Sequence, residues 1–187
     1  TCHKTSHKLV EVYGLKKRWR KAVIDFSEAF FHSDELDPDK WLFVEVPQGD
    51  EQFQRTEQNQ KAYERYMQGG TVYRRLLREV PGTKGAPLAW WRSLCRTLEE
   101  LGLVRSKADP CVFYVPAPQG SEEQWSGAVG IHVDDLQGRA EDGVWEWLQE
   151  ELLARKYKVS CQVVQVGDTV EYVGERSVEL EDGVVTD

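Results

Sequence analysis

Apolar side chains recur at three- and four-residue spacing in three segments, a spacing typical of amphipathic helices. The first segment, residues 9–15, precedes a basic cluster. The second runs from Pro87, which suits a first helical turn, to Gly102, which suits a helix C-terminus. The third covers about 142–154. The almost entirely polar stretch 50–68 is interpreted as a solvated helix or an insertion.

Short apolar runs rich in β-branched residues predict strands between these helices. In one of them, Val129, Ile131 and Val133 alternate toward the same face. The predicted strands cover residues 22–25, 41–46, 71–78, 111–115, 126–133, 157–160 and 169–178. Strands and helices mix without a βαβ period, so the predicted class is α+β.

Length and composition favour one compact domain, since the chain has 187 residues of which 40% are hydrophobic and 30% charged. No apolar run approaches the ~18 residues that cross a bilayer, and the polar first segment lacks the apolar stretch of a secretory signal. The four cysteines are widely spaced with no CxxC pair, which favours reduced thiols over a disulfide framework or a zinc ribbon. We therefore expect a cytoplasmic or nuclear protein with no membrane contact, not a secreted one.

The charge pattern gives two opposing indications. The net charge of −8 argues against a nucleic-acid binder, because phosphate contacts need cations. Residues 1–25 and 72–107 are nevertheless basic, while residues 108–187 are strongly acidic. The two basic segments would form one cationic groove if they fold together, or they are simply exposed helix faces.

Carboxylates end two of the predicted strands. Asp25 follows the apolar run 22–24, and Asp134 and Asp135 stand at the tip of strand 126–133. If these strands pair side by side, the carboxylates meet and would hold two Mg²⁺ ions roughly 3.5–4 Å apart, an arrangement that serves phosphoryl transfer. The alternative is an ordinary Asp-rich turn.

Four sequence blocks occur in the order found in the reverse transcriptases of Copia-type retrotransposons. They resemble that family's Asp-x-x-x-Ala-Phe block, its Gly-Leu-Lys-Gln-Ala-Pro loop, its Ser-Lys-x-Asp-x-Cys stretch and its Tyr-Val-Asp-Asp box. Here they read Asp25-Phe26-Ser27-Glu28-Ala29-Phe30, Gly82-Thr83-Lys84-Gly85-Ala86-Pro87, Ser106-Lys107-Ala108-Asp109-Pro110-Cys111 and Val133-Asp134-Asp135. Residues 42–49 and the late Tyr172-Val173-Gly174 are similar to further landmarks of the family.

The resemblance implies a palm-type antiparallel sheet with helices packed on one face, partial fingers and no thumb. Residues 1–187 would be a single palm fragment of a Pol polyprotein. Within it, 1–24 would be the end of the fingers and a lead-in helix, 25–160 the palm core, and 161–187 the start of the region after the palm.

The resemblance also implies roles at a nucleotide site. Asp25 and Asp134 would be the principal ligands of two Mg²⁺ ions, with Mn²⁺ as a substitute, and Asp135 the neighbouring third carboxylate. Phe26 and Phe30 would contact the nucleotide, where the Phe30 ring would exclude a 2′-hydroxyl. Core packing is the alternative role of Phe30.

Further residues would contact the nucleotide or the template. Gly82 and Lys84 would belong to a loop at the nucleotide, although Lys84 is equally well interpreted as a surface lysine. Arg92 and Arg96 would meet template phosphates, or be ordinary solvated helix residues. His132 stands where the family has Tyr, so the aromatic support near the primer is smaller and can titrate near neutral pH. Thr83 and Gly85 replace Leu and Gln of the family's loop.

The activity implied is that of an RNA-directed DNA polymerase transferring a nucleotide from a dNTP to a primer 3′-hydroxyl. Its partners would be an RNA or DNA template with primer and the integrase and RNase H of the same polyprotein, in a cytoplasmic virus-like particle or the nucleus. One alternative is an inactive relic or domesticated palm module that only binds. Another is a two-metal phosphotransferase or nuclease with the same carboxylates.

Overall fold

The computed structural model describes residues 1–172, 175–180 and 183–186. Within these residues, four α-helices and a 3₁₀ turn (Ala29–His32) are present. The helices are α1 (Lys4–Lys16), α2 (Gln60–Met67), α3 (Ala86–Glu100) and α4 (Val144–Ala154). The strands are β1 (Arg20–Ser27), β2 (Phe43–Glu45), β3 (Tyr73–Arg75), β4 (Val104–Arg105), β5 (Val112–Pro116), β6 (Trp125–His132), β7 (Asp135–Ala140), β8 (Lys158–Val163), β9 (Thr169–Tyr172), β10 (Glu175–Leu180) and β11 (Gly183–Thr186).

Six strands form the central sheet in the order β4-β5-β6-β7-β1-β8, and every neighbouring pair is antiparallel. Strands β2 and β3 form a separate two-stranded ribbon, and β9, β10 and β11 form a small third sheet. The fold is therefore α+β, as predicted.

One face of the central sheet is the main hydrophobic face. On β1 it presents Ala22, Ile24 and Phe26, which alternate with the residues of the other face. Helices α3 and α4 cover it with their apolar stripes, and the stripe residues Trp90, Leu94, Leu98, Trp145, Leu148 and Leu152 are all buried. Each such side chain contributes about 1.5–3 kcal/mol when fully buried, so this layer supplies most of the fold's stability.

Helix α1 lies on the opposite face, so the prediction that the helices pack on one face is wrong for this helix. The cause is a pair of buried cations, Lys21 on β1 and Arg139 on β7, which need a carboxylate partner. Glu11 of α1 provides it, with distances of 3.3 Å to Lys21 and 2.8 Å to Arg139. Gly14 allows the close approach, because a Cβ there would lie 2.4 Å from the Cβ of Arg139.

The polar stretch 50–68 forms a helix, α2, only over its second half. It anchors a small separate cluster that consists of Val46, Phe53, Tyr66 and Val72. The Tyr66 hydroxyl accepts a hydrogen bond from the Asp50 N–H at 2.6 Å and donates one to the Pro47 carbonyl at 2.7 Å. Together with the β2–β3 ribbon, this cluster forms a satellite of the main core.

Other predicted elements differ from the structure mainly at their ends. The predicted strand 71–78 is shorter, since only Tyr73–Arg75 pairs with β2. The predicted strand 169–178 is divided into β9 and β10. Val173 and Gly174, of the proposed Tyr-Val-Gly landmark, lie outside the described residues. Strand β7 was not predicted at all. No helix within the described ranges is long and apolar enough to cross a membrane.

Candidate functional site: a row of polar side chains with two facing carboxylates

A row of polar side chains crosses four strands at one end of the central sheet. Ladder register places His132 of β6 opposite Asp135 of β7, Asp135 opposite Asp25 of β1, and Asp25 opposite Ser160 of β8. Residues directly opposite in an antiparallel pair project from the same face. All four side chains therefore belong to the face that α3 and α4 leave uncovered, with Asp25 and Asp135 as direct neighbours.

A two-residue turn, Val133 and Asp134, joins β6 to β7 next to this row. Val133 has a φ of 51°, a left-handed conformation that is strained for a β-branched residue. Two hydrogen bonds hold the turn in place. The indole N–H of Trp90 donates to the Val133 carbonyl at 2.7 Å, and the N–H of Phe26 donates to the Asp134 carbonyl at 2.9 Å.

The surroundings of Asp135 change its ionisation. Burial, the negative charges of Asp134 and Asp25, and a hydrogen bond with Asp25 raise the pKa of Asp135 to about 6. Asp135 therefore takes up a proton at mildly acidic pH. Asp25 is exposed, so this pair is open to solvent.

The pair suits a hard divalent cation, which would offset the repulsion between the two carboxylates. Over residues 1–172, 175–180 and 183–186, however, no group of three or more His, Cys, Asp or Glu side chains is arranged to hold a metal ion. The ladder sets Asp135 directly opposite Asp25, while Asp134 lies exposed in the turn. The assignment of Asp134 as a principal ligand stays a prediction.

The two predicted nucleotide-contacting phenylalanines lie in different settings. Phe26 is buried on the hydrophobic face, with its ring 5.2 Å from that of Trp90. Strand alternation thus places its ring on the opposite face from Asp25, where a nucleotide bound at Asp25 does not reach it. Phe30 lies in the 3₁₀ turn, half-buried against the main core, and its role at a sugar stays a prediction.

Gly82 and Lys84 lie in the exposed loop that precedes α3. The φ of Gly82 is 93°, a conformation that favours glycine. Lys84 forms no ion pair with any other described residue, so its ammonium group is available to an external anion. Its contact with a nucleotide stays a prediction.

The two predicted phosphate-binding arginines differ. Arg92 is exposed, and within the described part of the chain it has no acidic partner. Arg96 forms an ion pair with Asp34 and lies 3.7 Å from Glu100. A template phosphate would have to compete with Asp34 for Arg96, so Arg92 is the better candidate of the two.

His132 is not a cation at neutral pH. Burial lowers the pKa of its imidazole, an effect that the nearby Asp134 carboxylate only partly opposes. The ring is therefore neutral near pH 7 and adds no positive charge beside Asp135.

Sequence reasoning missed three residues around the site. Ser160 completes the polar row but lies in an exposed strand with no motif to mark it. Trp90 holds the turn through its indole N–H, a role that no sequence pattern marked. Glu79, which precedes the Gly82–Lys84 loop, is buried, and an acidic residue among exposed arginines carried no signal of burial.

Comparison with known proteins adds no family to this description. The chain matches no protein-family model and no curated protein.

Proposed function

We propose that this chain is the palm of an RNA-directed DNA polymerase of the Copia-type retrotransposon class. The supporting observation is the register of β1 and β7, which sets Asp25 directly opposite Asp135 beside a tight turn that carries Asp134. Two sequence blocks far apart along the chain thus meet at one point. An ordinary Asp-rich turn would not require a third carboxylate on the neighbouring strand.

The residues of the site would divide the work as follows. Asp25 and Asp135, with Asp134 at the turn, would hold two Mg²⁺ or Mn²⁺ ions. When bound, such ions lower the pKa of a primer hydroxyl and neutralise charge on the triphosphate. The chain itself orients the carboxylates, because the hydrogen bonds from Trp90 and Phe26 fix the turn.

The remaining groups would bind the substrates. Lys84 and Arg92, both exposed and without an ion-pair partner within the described ranges, would offset phosphate charge on the dNTP and the template. Phe30 would contact the sugar. The partners would be a primed RNA or DNA template and the integrase and RNase H of the same polyprotein, in a cytoplasmic virus-like particle or the nucleus.

A module of this shape that binds without catalysis is the second candidate. It is favoured by the raised pKa of Asp135, which weakens the negative charge of this carboxyl group at mildly acidic pH. Primer extension distinguishes the two functions.

The test is extension of an oligo(dT) primer on poly(rA) with dTTP and Mg²⁺. We expect incorporation by the 187-residue chain, and a loss of about 100-fold or more in Asp25→Asn, Asp134→Asn and Asp135→Asn. Asp142→Asn, an exposed carboxylate paired with Arg20, is the matched control and should keep full activity. Extension that survives Asp25→Asn would remove the proposed role. No extension by the parent chain would favour the binding module, and cleavage of nucleic acid without dTTP would favour a nuclease.

A further inference from the structure

Glu79 is a buried carboxylate at the entrance to the loop that carries Gly82 and Lys84. Only 2% of the residue is exposed, although it lies in a segment that is mostly accessible. A charged side chain is buried at this depth only where other groups compensate it. The residues around Glu79 show which groups compensate its charge and which part of the chain it holds in place.

Both carboxylate oxygens of Glu79 have partners. The Lys40 ammonium donates to Oε1, and the Thr83 hydroxyl donates to Oε2. Thr83 belongs to the loop, whereas Lys40 belongs to the segment that leads into β2. These contacts lower the pKa of Glu79, so the side chain stays ionised at neutral pH. One carboxylate therefore joins the loop to the segment before the β2–β3 ribbon.

The loop backbone is shaped around this carboxylate at Gly85. A Cβ at position 85 would lie 2.1 Å from Oε1 of Glu79 and 2.7 Å from its Cδ. The φ of Gly85 is −86°, which any residue can adopt, so the crowding at position 85 comes from the Glu79 carboxylate, which a side chain there would have to displace. The Glu79 carboxylate occupies the place that a side chain at 85 would need.

The two loop positions that contact Glu79 are also those at which the loop departs from the Gly-Leu-Lys-Gln-Ala-Pro pattern. Thr83 supplies a hydroxyl where the pattern has Leu, and Gly85 removes a side chain where it has Gln. The two departures are explained together by a single buried carboxylate, because one provides its donor and the other its space.

We propose that Glu79 is a positioning residue that fixes the 81–85 loop and thereby presents Lys84 and Gly82 at a constant place. That it does so for an incoming nucleotide rests on the proposed function. Glu79 touches neither Asp25 nor Asp135 among the contacts of the described residues, so it acts through the loop.

Trypsin provides a test that needs no activity, because Lys84 is exposed and its cleavage reports how freely the loop moves. We expect Glu79→Gln to accelerate cleavage after Lys84 by about tenfold or more under conditions where the rest of the chain stays folded. Glu35→Gln, which removes an exposed carboxylate 3.3 Å from Arg78, is the matched control and should leave the rate unchanged. If Glu79→Gln does not fold, Thr83→Val gives the same test with the carboxylate in place. An unchanged rate in a folded variant overturns the proposal.

A double-mutant cycle tests the close approach at Gly85. We expect Gly85→Ala to accelerate cleavage after Lys84 because its Cβ displaces the carboxylate. In the Glu79→Ala background the same change should add less than about twofold, since nothing remains to be displaced. Equal effects of Gly85→Ala in the two backgrounds contradict the proposal.

Nucleotide kinetics then separate this inference from the proposed function. In primer extension, we expect Glu79→Gln to raise the KM for dTTP by about fivefold or more with kcat nearly unchanged, and Glu79→Asp to recover part of the loss. A loss confined to kcat contradicts positioning by the loop. If the parent chain extends no primer while cleavage after Lys84 responds as predicted, the polymerase proposal fails and the role of Glu79 in fixing the loop stands.

Discussion

The β1–β7 ladder carries two facing carboxylates near one end and two facing cations near the other, on the same face of the sheet. At one end Asp25 faces Asp135, and four residues away along each strand Lys21 faces Arg139, a separation of roughly 13 Å. The cation pair is neutralised within the protein, because Glu11 contacts both members and Glu179 lies 2.6 Å from Arg139. The charges that act on the Asp135 carboxyl are instead those of Asp134 and Asp25.

The two charged pairs also differ in how far they are buried. Lys21 and Arg139 are each 2% exposed, whereas Asp25 is exposed and Asp135 half-buried. A like-charged pair that serves structure is covered and given opposite charges from the chain. A like-charged pair that is left open, and that has no opposite charge beside it among the described residues, could accept a cation from outside. This contrast is the physical reason for placing the functional site at the carboxylate end.

The largest predicted effect on stability is at the end of the ladder that carries Lys21 and Arg139. Glu11→Gln should lower the free energy of unfolding by about 3 kcal/mol, because it removes the carboxylate charge that both buried cations contact. Urea denaturation measures this. Glu123→Gln, which breaks an exposed pair with Lys17, is the control and should cost below about 1 kcal/mol. Equal effects of the two changes would contradict the contrast.

At the carboxylate end the effect should have the opposite sign. Asp135→Asn should raise the free energy of unfolding by about 1–2 kcal/mol at pH 7.5 without divalent ions. This value is smaller than the full pKa shift of Asp135 implies, because solvent screens the half-exposed carboxyl group. The folded pKa, about 6, lies above the unfolded value of 3.8, so the protonated form stabilises the fold below pH 3.8 and this stabilisation is lost as pH rises through 6.

Urea denaturation at several pH values checks this dependence. The advantage of Asp135→Asn over the parent chain should largely disappear at pH 3.5, where Asp135 is mostly protonated in both states. A variant that is less stable than the parent at pH 7.5 would show that the carboxylates do not repel each other.

A smaller effect on stability is expected on β7 between the two charge pairs. Gln137 is fully buried, and its amide nitrogen and oxygen have no hydrogen-bond partner among the described residues. Gln137→Met keeps the side-chain length and removes both polar groups, so it should stabilise the chain by about 1 kcal/mol. Thermal unfolding gives the answer. A lower melting temperature would mean that the amide has a partner, such as a bound water.

The smallest effect is expected at the turn. Val133 is 40% exposed and left-handed, so Val133→Asn should gain about 0.5–1 kcal/mol because Asn tolerates this conformation better than a β-branched residue. Chemical denaturation with Val166→Asn, a change at another exposed valine, is the comparison. No gain over that control would mean that the turn is not strained.

Most of the fold could be predicted, because the elements that build the hydrophobic face obey simple periods. The α3 stripe and the alternation of β6 both led to correct elements. Strand β7 was missed because it carries Gln137 and Arg139, polar side chains that are nevertheless buried. No local pattern shows that Glu11, 128 residues earlier, pairs with Arg139.

The candidate site also has features that the sequence predicted and features that depend on tertiary contacts. The convergence of Asp25 with the Asp134–Asp135 turn was predicted from direct pairing of strands 22–25 and 126–133. That pairing is wrong, because β7 lies between β1 and β6, and β7 is the strand that sets Asp135 opposite Asp25. Which aspartate faces Asp25 depends on a one-residue register, and the burial of Glu79 does not follow from local sequence. These features arise from tertiary contacts that the spacing of motifs does not contain.

Binding of Mn²⁺ followed by electron paramagnetic resonance tests the central claim most directly, because it requires neither template nor activity. The parent chain at pH 7.5 should bind Mn²⁺, and Mg²⁺ should displace it. Asp25→Asn and Asp135→Asn should each weaken binding about tenfold or more, while Asp142→Asn leaves it unchanged. Binding of equal strength in the parent chain and in Asp25→Asn would contradict the claim that the facing carboxylates form a cation site.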